Sequence, residues 1–338
     1  MVLGDELSFA FRTMCSFQSA ATQKFALPLG DVQLYPVLFS DNFRKLKLML
    51  AKKKRRKCLF ILLTISVSFC LLVLYALIIE PNRFVVTRHQ LNQQITSNKN
   101  SFKIVQISDL HLKQFNNRAQ RIAEQVNKLN PNIVLFTGDS IDQVEQLDGF
   151  DRFLSLLDKQ TAKYAIMGNW EYWAGVDLKR LTKIYATYNC SLLVNQSILH
   201  KYGEYSILIT GLDDLVSKPD LIKSLQGLRP QQNHLLLAHS PAYRDSFSSD
   251  ELAKITQYKP QYMLSGHTHG GQLSFFGFAP LRPPGSGRYV SGWYRDGAIA
   301  LYVSRGLGVS VLPVRMGVIP EISYFEWFLN RSVITSSK

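Results

Sequence analysis

Seven residues whose side chains can bind metal ions lie in short motifs spread over the last two thirds of this 338-residue chain. They offer carboxylate, amide or imidazole donors, and such donors suit Mn²⁺, Fe, Zn²⁺ or Mg²⁺ better than a soft metal. The four cysteines form no Cys-x-x-Cys pair, which argues against a thiolate zinc site. The candidate ligands are Asp109, His111, Asp139, Asn169, His239, His267 and His269.

The two aspartates indicate what such a site could do. A carboxylate has two oxygens and can bridge two cations. Two cations about 3.5–4 Å apart can hold a phosphoryl group and lower the pKa of a bridging water, so that hydroxide forms near pH 7. This inventory therefore predicts hydrolysis of phosphorus–oxygen bonds without a side-chain nucleophile.

Each motif is weak by itself, because Asp-x-His and Gly-Asp are common and a single buried histidine more often has a structural role. The run GHTHGG at residues 266–271 is more specific. Its glycines allow the backbone to approach a ligand closely. The ordered occurrence of all the motifs favours a metal site over a set of unrelated structural residues.

Short apolar runs typical of buried strands precede these motifs, and their alternation with a helical pattern predicts a layered α/β fold. The candidate ligands directly follow such runs. Ligands in layered α/β proteins sit beyond the C-terminal ends of strands, so residues distant in sequence would converge there. We predict a helix at residues 118–129 and strands at residues 102–107, 133–136, 164–167, 205–210, 234–238, 262–264 and 299–303.

Taken in order, the motifs resemble those of the calcineurin-like metallophosphoesterase superfamily, whose pattern is DxH, GD, GNH(D/E), H and GHxH. Here they read Asp109-Leu110-His111, Gly138-Asp139, Gly168-Asn169-Trp170-Glu171, His239 and Gly266-His267-Thr268-His269. The resemblance covers residues 101–328. It includes the runs GHTHGGQ, SRGLG, PVR and PEI, which are typical of a membrane-associated bacterial branch.

The resemblance implies a four-layer αββα sandwich with two divalent metal ions, Mn²⁺ first among the candidates. It also implies that Asp139 bridges the two ions, and that Asn169 and His239 take part in catalysis. One ion would be bound by Asp109, His111, Asp139 and His269, and the second by Asp139, Asn169, His239 and His267.

Trp170 departs from the family pattern, which has histidine at this position. Indole cannot protonate a leaving group at neutral pH, whereas a phosphate leaving group needs little protonation. Trp170 therefore favours a phosphoanhydride or another activated ester over an alkyl monoester. The alternative is that Trp170 only packs over the site.

Enzymes of the bacterial branches that split the pyrophosphate of UDP-2,3-diacylglucosamine, in lipid A synthesis, also lack this histidine. We therefore expect a lipid-linked nucleotide as substrate, with an exported phosphodiesterase or phosphatase as the alternative. The aromatic residues 275–278 favour the core over a lipid groove, and Arg282, Arg288, Arg305 and Arg315 are candidates for phosphate binding.

An uncharged apolar run of 22 residues, 58–79, precedes the chemical motifs. As a helix it would extend about 33 Å, enough to cross a bilayer core of about 30 Å. A cleaved signal peptide is the alternative, but no small-x-small site follows. We expect a single-pass protein of the bacterial inner membrane.

The flanking charges bear on the orientation of that helix. Residues 52–57 read KKKRRK, and the positive-inside rule then places the domain outside the cytoplasm. UDP-sugars are cytoplasmic, so substrate and topology disagree and the side of the active site stays open.

Composition limits the other function classes. The net charge of +14 is concentrated before the apolar run, so we expect no nucleic-acid partner, and no obligate protein partner is indicated. A metal-bound scaffold without turnover would predict lost ligands, and none is lost.

The expected organisation is an N-terminal segment 1–57, in which Met49 is an alternative start, helix 58–79, linker 80–100, catalytic domain 101–328 and tail 329–338.

Overall fold

Two strands of this protein, Ile133–Thr137 and Asn233–Leu237, are buried along their whole length, which is typical of sheets that are covered on both sides. The computed structural model describes residues 35–92, 101–275 and 278–331. Its strands are β1 Val85–Leu91, β2 Phe102–Ile107, β3 Ile133–Thr137, β4 Ala162–Ile166, β5 Cys190–Leu192, β6 Gln196–Tyr202, β7 Tyr205–Gly211, β8 Asn233–Leu237, β9 Tyr262–Ser265, β10 Gly292–Tyr294, β11 Ala300–Val303 and β12 Glu321–Trp327.

These strands form two mixed sheets of six strands each. Sheet A has the order β1-β12-β2-β3-β4-β5, and sheet B has the order β10-β11-β9-β8-β7-β6. The strands that precede the candidate ligands are neighbours: β2, β3 and β4 are parallel in sheet A, and β8 and β9 are parallel in sheet B. Their carboxyl ends therefore meet at one edge of each sheet.

The α-helices lie before the first strand or in the segments between strands. They are α1 Tyr35–Leu74, α2 Asn117–Lys128, α3 Leu147–Ser155, α4 Asn169–Trp173, α5 Leu178–Thr187, α6 Leu221–Ser224 and α7 Ser249–Tyr258. The predicted helix 118–129 corresponds to α2, whose first turn is capped by the Asn116 side chain accepting hydrogen bonds from the backbone N–H groups of Arg118 and Ala119.

Three apolar clusters show how the layers stack. One cluster joins the outer face of sheet A to α2, α3 and α5, and another joins the outer face of sheet B to α6 and α7. Between the sheets, the side chains on the two inner faces pack together, and they come from every second residue of a strand. This central cluster includes Phe102 and Ile104 of β2 and Ile207 and Ile209 of β7. The predicted four-layer αββα sandwich is confirmed.

The chain divides into two units, Met1–Ser68 and Phe69–Lys338. In the part of the first unit that the structure describes, the chain is helix α1 up to Ser68, and its residues are exposed from Asp41 onward. In the second unit this helix ends in a π-helical turn, Tyr75–Ile79, and a 3₁₀ turn, Glu80–Asn82. By length and composition the segment Asp41–Asn82 could cross a membrane, and it contains the predicted run 58–79.

The predicted linker 80–100 is wrong for residues Val85–Leu91, which form β1. This strand pairs in parallel with β12 from the far end of the chain. Its composition is polar because β1 is the edge strand of sheet A, and most of its side chains are not fully buried. The domain also continues past residue 328, since Leu329 is buried and the Asn330 N–H donates to the Asn233 side chain. Residues 93–100 and 332–338 lie outside the described residues.

Candidate metal centre

The structure brings the seven predicted ligands together at the carboxyl ends of the parallel strands. Asp109 and His111 follow β2, Asp139 follows β3, and Asn169 begins α4 after β4. His239 follows β8, while the two histidines of GHTHGG follow β9. All seven are at most 5% exposed, so their donor atoms point away from bulk solvent.

A first group of donors consists of Asp109, His111, Asp139 and His269, each offering one atom within 4.8 Å of the others. The Nε2 atoms of His111 and His269 lie 3.0 Å apart. The Nε2 atom of His269 is 3.6 Å from an Asp109 carboxylate oxygen. This arrangement could enclose one cation.

A second group shares Asp139 and adds His239 and His267, again within 4.8 Å. The Nδ1 atom of His267 lies 3.2 Å from Nε2 of His239 and 2.9 Å from the amide oxygen of Asn169. His267 donates from Nε2 to the Pro284 carbonyl at 2.6 Å, which leaves Nδ1 with a free lone pair.

Asp139 stands between the two groups. Its Oδ2 atom is 3.7 Å from Nε2 of His111 and 3.1 Å from Nε2 of His239, one histidine from each group. Its other oxygen, Oδ1, accepts a hydrogen bond of 2.9 Å from the backbone N–H of Trp170. One carboxylate oxygen therefore faces both groups, as a bridging ligand would.

The backbone at these positions is strained. Positive φ angles between 42° and 72° occur at Asp109, His111, Asp139, His267 and His269. Non-glycine residues in this region cost of the order of 1–3 kcal/mol each, and such strain collects at functional sites. A close approach explains one neighbouring glycine: Gly306 has φ +66°, and a Cβ there would lie 2.6 Å from that of Asp109.

The donors fit divalent cations. Asp109 Oδ2 is buried and has no hydrogen-bond partner among the described residues, which is costly for a carboxylate oxygen unless a cation binds it. Imidazole and carboxylate donors, several from each class, match Mn²⁺, Fe, Zn²⁺ or Mg²⁺. Bound cations would therefore balance the negative charge of the buried carboxylates among these donors.

The carboxylates set the protonation of the site. Burial favours the neutral form of Asp139, but the charge and hydrogen bond of His239, the charge of His111 and the Trp170 N–H together outweigh it and lower the pKa of Asp139 to about 2. In turn, burial lowers the pKa of His239, and the charge of Asp139 raises it well above the usual value. Burial raises the pKa of Asp109. A cation at Asp139 would displace the proton from His239, because both compete for the same charge.

Two residues outside the predicted set fix the rings of the first group. The Asp142 carboxylate hydrogen-bonds Nδ1 of His111, and this bond and the charges of the nearby aspartates together outweigh burial and raise the pKa of His111. The Nη2 atom of Arg315 lies 3.3 Å from Nδ1 of His269. Burial, aided by the positive charges of His111 and Arg315, lowers the pKa of His269 well below its usual value. The two rings are therefore held from behind by groups of opposite charge.

Glu171, quoted in a motif but given no role, is a positioning residue. Its carboxylate accepts hydrogen bonds from the backbone N–H groups of Asp139, Ser140 and Gly168 at 3.1, 2.6 and 2.9 Å. Burial, with the nearby charge of Asp139, raises its pKa to about 7. Glu171 thus ties the turn after β3 to the turn after β4.

Three of the four arginines proposed for phosphate are committed elsewhere. Arg288 pairs with Asp245 and Asp296, and Arg305 with Glu321. Arg315 is fully buried and donates to the Gly308 and Val318 carbonyls. Arg282 donates to the Gly287 carbonyl and is exposed.

Comparison with known proteins decides the family. The profile of the calcineurin-like phosphoesterase family matches residues 102–271. The chain belongs to this family. It is a metal-dependent phosphoester hydrolase, and its Asp/His cluster is its site for divalent cations.

Relatives of this phosphoesterase include the uncharacterized metallophosphoesterase YkuE of Bacillus subtilis (strain 168), 31% identical over 267 residues, 74% of this chain and 88% of that protein. The Bos taurus transmembrane protein with metallophosphoesterase domain is 28% identical over 246 residues, 66% of this chain and 52% of that protein. The structure of a 5'-nucleotidase precursor from Thermus thermophilus has a TM-score of 0.38 at 16% identity, covering 62% of this chain and 49% of that one.

A cavity of about 790 Å³ opens beside the first group of the phosphoesterase's donors. Its lining includes His111, Asp142, Trp170 and the positively charged Arg118. Arg118 donates to the Leu307 carbonyl, and its buried Nε has no partner among the described residues. Sequence reasoning missed Arg118, because an arginine in the first turn of a helix is usually a surface residue.

Trp170 packs edge-on against His111, with ring centroids 5.8 Å apart, and against Trp173 at 5.3 Å. It therefore does pack over the first group, as one interpretation of the sequence expected. Because it also lines the cavity, it would border any bound substrate. The aromatic residues 275–278 are not core where they are described, since Phe275 is 48% and Phe278 70% exposed; residues 276 and 277 lie outside the described part.

Proposed function

We propose that this protein hydrolyses activated phosphoesters or phosphoanhydrides at a centre of two divalent cations, and that its substrate is a lipid-linked pyrophosphate such as UDP-2,3-diacylglucosamine. The observation that carries the two-cation part is the single Asp139 oxygen that faces a histidine of each donor group. Mn²⁺ is the proposed metal.

Each side chain would have a defined part. Asp109, His111, Asp139 and His269 would hold one cation, and Asp139, Asn169, His239 and His267 the other. When bound, the cations supply positive charge for the phosphoryl oxygens and lower the pKa of water.

Hydrogen bonds behind the ligands keep this arrangement ready. Asp142 keeps a proton on Nδ1 of His111, so that Nε2 is free to ligate. The Thr137 carbonyl, 2.7 Å from Nδ1 of His239, orients that ring in the same way. Glu171 fixes the backbone that presents Asp139.

Trp170 supports the choice of leaving group. It occupies the edge of the cavity next to His111, where it excludes water but donates no proton to a leaving oxygen. An alkoxide would leave slowly from such a site, whereas a phosphate or aryl oxide leaves without protonation. Arg118 is placed to compensate a further negative charge of the substrate in the same cavity.

The test uses the full-length protein in detergent with Mn²⁺, assayed in parallel on UDP-2,3-diacylglucosamine, a phosphodiester and an alkyl phosphomonoester. We expect hydrolysis of the anhydride and of diesters with acidic leaving groups. Trp170→His should raise activity on the alkyl monoester relative to the anhydride, and Trp173→His, at an exposed tryptophan nearby, is the control. A wild-type protein that prefers the alkyl monoester would contradict the proposal.

A second candidate, an exported phosphodiesterase or phosphatase of broad specificity, is favoured by the basic run at residues 52–57 before the apolar helix. The two candidates differ in the side of the membrane on which the domain lies. Reporters should be fused after residue 331, because β1 forms an edge of sheet A and a fusion near residue 81 would interrupt the domain. A reporter that is active only in the cytoplasm would exclude the exported candidate.

A further inference from the structure

A second opening, which Arg118 does not line, adjoins the metal centre. This groove of about 320 Å³ is lined by Thr268 and His269, so it reaches the first donor group. We call it the apolar groove, because most of its other lining side chains are apolar. These are Leu273, Pro280, Leu281, Pro283, Val311 and Leu312.

The apolar groove exposes an unusual amount of hydrocarbon. Leu281 is 54%, Val311 78% and Leu312 47% exposed. Leaving such side chains in water costs about 25 cal/mol for each Å² that could be buried. Clustered exposed apolar residues mark a binding surface more often than scattered ones.

One loop, residues 309–313, separates this groove from the large cavity. Ser310 and Val311 line both openings. The large cavity is also lined by Leu77 and Pro81, which belong to the end of the helix that could cross a membrane. The loop therefore lies between the apolar groove and the place where that helix enters the domain.

Hydrogen bonds fasten this region to the end of the helix. Arg315 N–H donates to the Ala76 carbonyl at 3.0 Å. The carboxylate of Glu80, only 1% exposed, accepts from the N–H groups of Gly317 and Val318 at 3.1 and 2.6 Å. With Leu77, Ile78 and Ile79 between 41% and 55% exposed beside these contacts, apolar surface continues from the helix to the loop.

We propose that the apolar groove binds the alkyl chain of an amphiphilic phosphoester whose phosphoryl group lies at the metal centre and whose polar part occupies the large cavity. The inference rests on the proposed function and adds the place where the apolar part binds. An alkyl chain fits better than a polar group, because the polar side chains of Gln272 and Arg282 already have protein partners. Gln272 accepts a hydrogen bond from the Ser310 backbone N–H, and Arg282 donates to the Gly287 carbonyl.

The test compares two phosphodiesters that share a leaving group, ethyl p-nitrophenyl phosphate and hexadecyl p-nitrophenyl phosphate, in mixed micelles. The variant is Leu281→Ser/Leu312→Ser in the full-length protein. Its matched control is Leu252→Ser, because Leu252 is 43% exposed on α7 and lines neither opening. Comparing variant with control separates binding in the groove from partition of the substrate into micelles.

We expect the double variant to raise the KM for the hexadecyl ester by roughly tenfold. The KM and kcat for the ethyl ester should stay within about twofold of wild type, which shows that the variant is folded, and Leu252→Ser should change neither substrate. Equal losses on both esters, or no loss on the hexadecyl ester, would overturn the inference while leaving the proposed function intact. A wild type that hydrolyses neither ester would count against both.

Discussion

Two buried histidines near the two ends of strand β8, His234 and His239, have pKa values that are shifted in opposite directions. His234 near its start is fully buried, with Nε2 2.9 Å from the Thr210 hydroxyl and Nδ1 3.2 Å from the Tyr258 carbonyl. Burial lowers its pKa to about 4. His239, just past the other end, is 1% exposed, yet its pKa is raised well above the usual value because the charge and hydrogen bond of Asp139, together with other nearby carboxylates, outweigh burial.

Burial alone therefore does not distinguish a structural histidine from a ligand. Both rings are removed from water, and both have a partner at each nitrogen. The difference is that the partner of His239 is a carboxylate oxygen shared with another histidine. Residues at the carboxyl ends of the parallel strands converge, whereas those at the opposite ends do not.

The largest effect should separate the two histidines directly. His239→Asn removes one proposed ligand and should lower hydrolysis of a p-nitrophenyl phosphodiester on the order of 10²–10³-fold. The same substitution at His234 should leave kcat within about twofold and lower the stability by roughly 1–3 kcal/mol, since it disturbs buried hydrogen bonds only. Similar losses of activity in the two variants would remove the distinction.

A smaller effect is expected from the carboxylate behind the first group. Asp142→Asn should weaken cation binding by roughly 10–100-fold, because outer partners of a ligating histidine fix its tautomer and basicity. Titration with Mn²⁺ should then show one weakened site and one unchanged site. Asp148→Asn, at an exposed aspartate on α3, should change neither. Equal weakening of both sites would show that Asp142 does not act on the first group alone.

A third effect concerns the dependence of stability on pH. The folded pKa of His234 lies below its value of 6.5 in the unfolded chain, so only the unfolded chain takes up a proton as the pH falls from about 6.5 to about 4. Stability should fall across that window by roughly 3 kcal/mol from this residue, and be fully present above it. In thermal unfolding in detergent, His234→Asn should therefore lose less stability between pH 7 and pH 5 than wild type does. An identical pH dependence would show that His234 does not contribute.

Much of the architecture was accessible from the sequence because continuous apolar runs show buried strands directly. The seven predicted strands and the helix after the Asp-x-His loop are all present. Five strands, β1, β5, β6, β10 and β12, were not predicted. Strand β1 was missed because a polar edge strand has no such run, and it pairs with residues more than 200 positions away. That pairing is set by tertiary contacts.

The functional site, like the fold, could be predicted only in part from the sequence. The convergence of the seven motif residues followed from their places after strands. Asp142 and Arg118 were not predicted, because an aspartate or arginine in a loop or first helical turn is usually a surface residue. Only the fold shows that one backs His111 and the other lines the cavity.

The most direct test of the two-cation centre is the metal content of Asp139→Asn, measured by elemental analysis of the full-length protein alongside hydrolysis. Wild type should bind two divalent cations per chain, and the variant should lose most of both, with activity falling on the order of 10³-fold. Unchanged metal content together with unchanged hydrolysis would contradict the claim that one shared carboxylate holds the centre together.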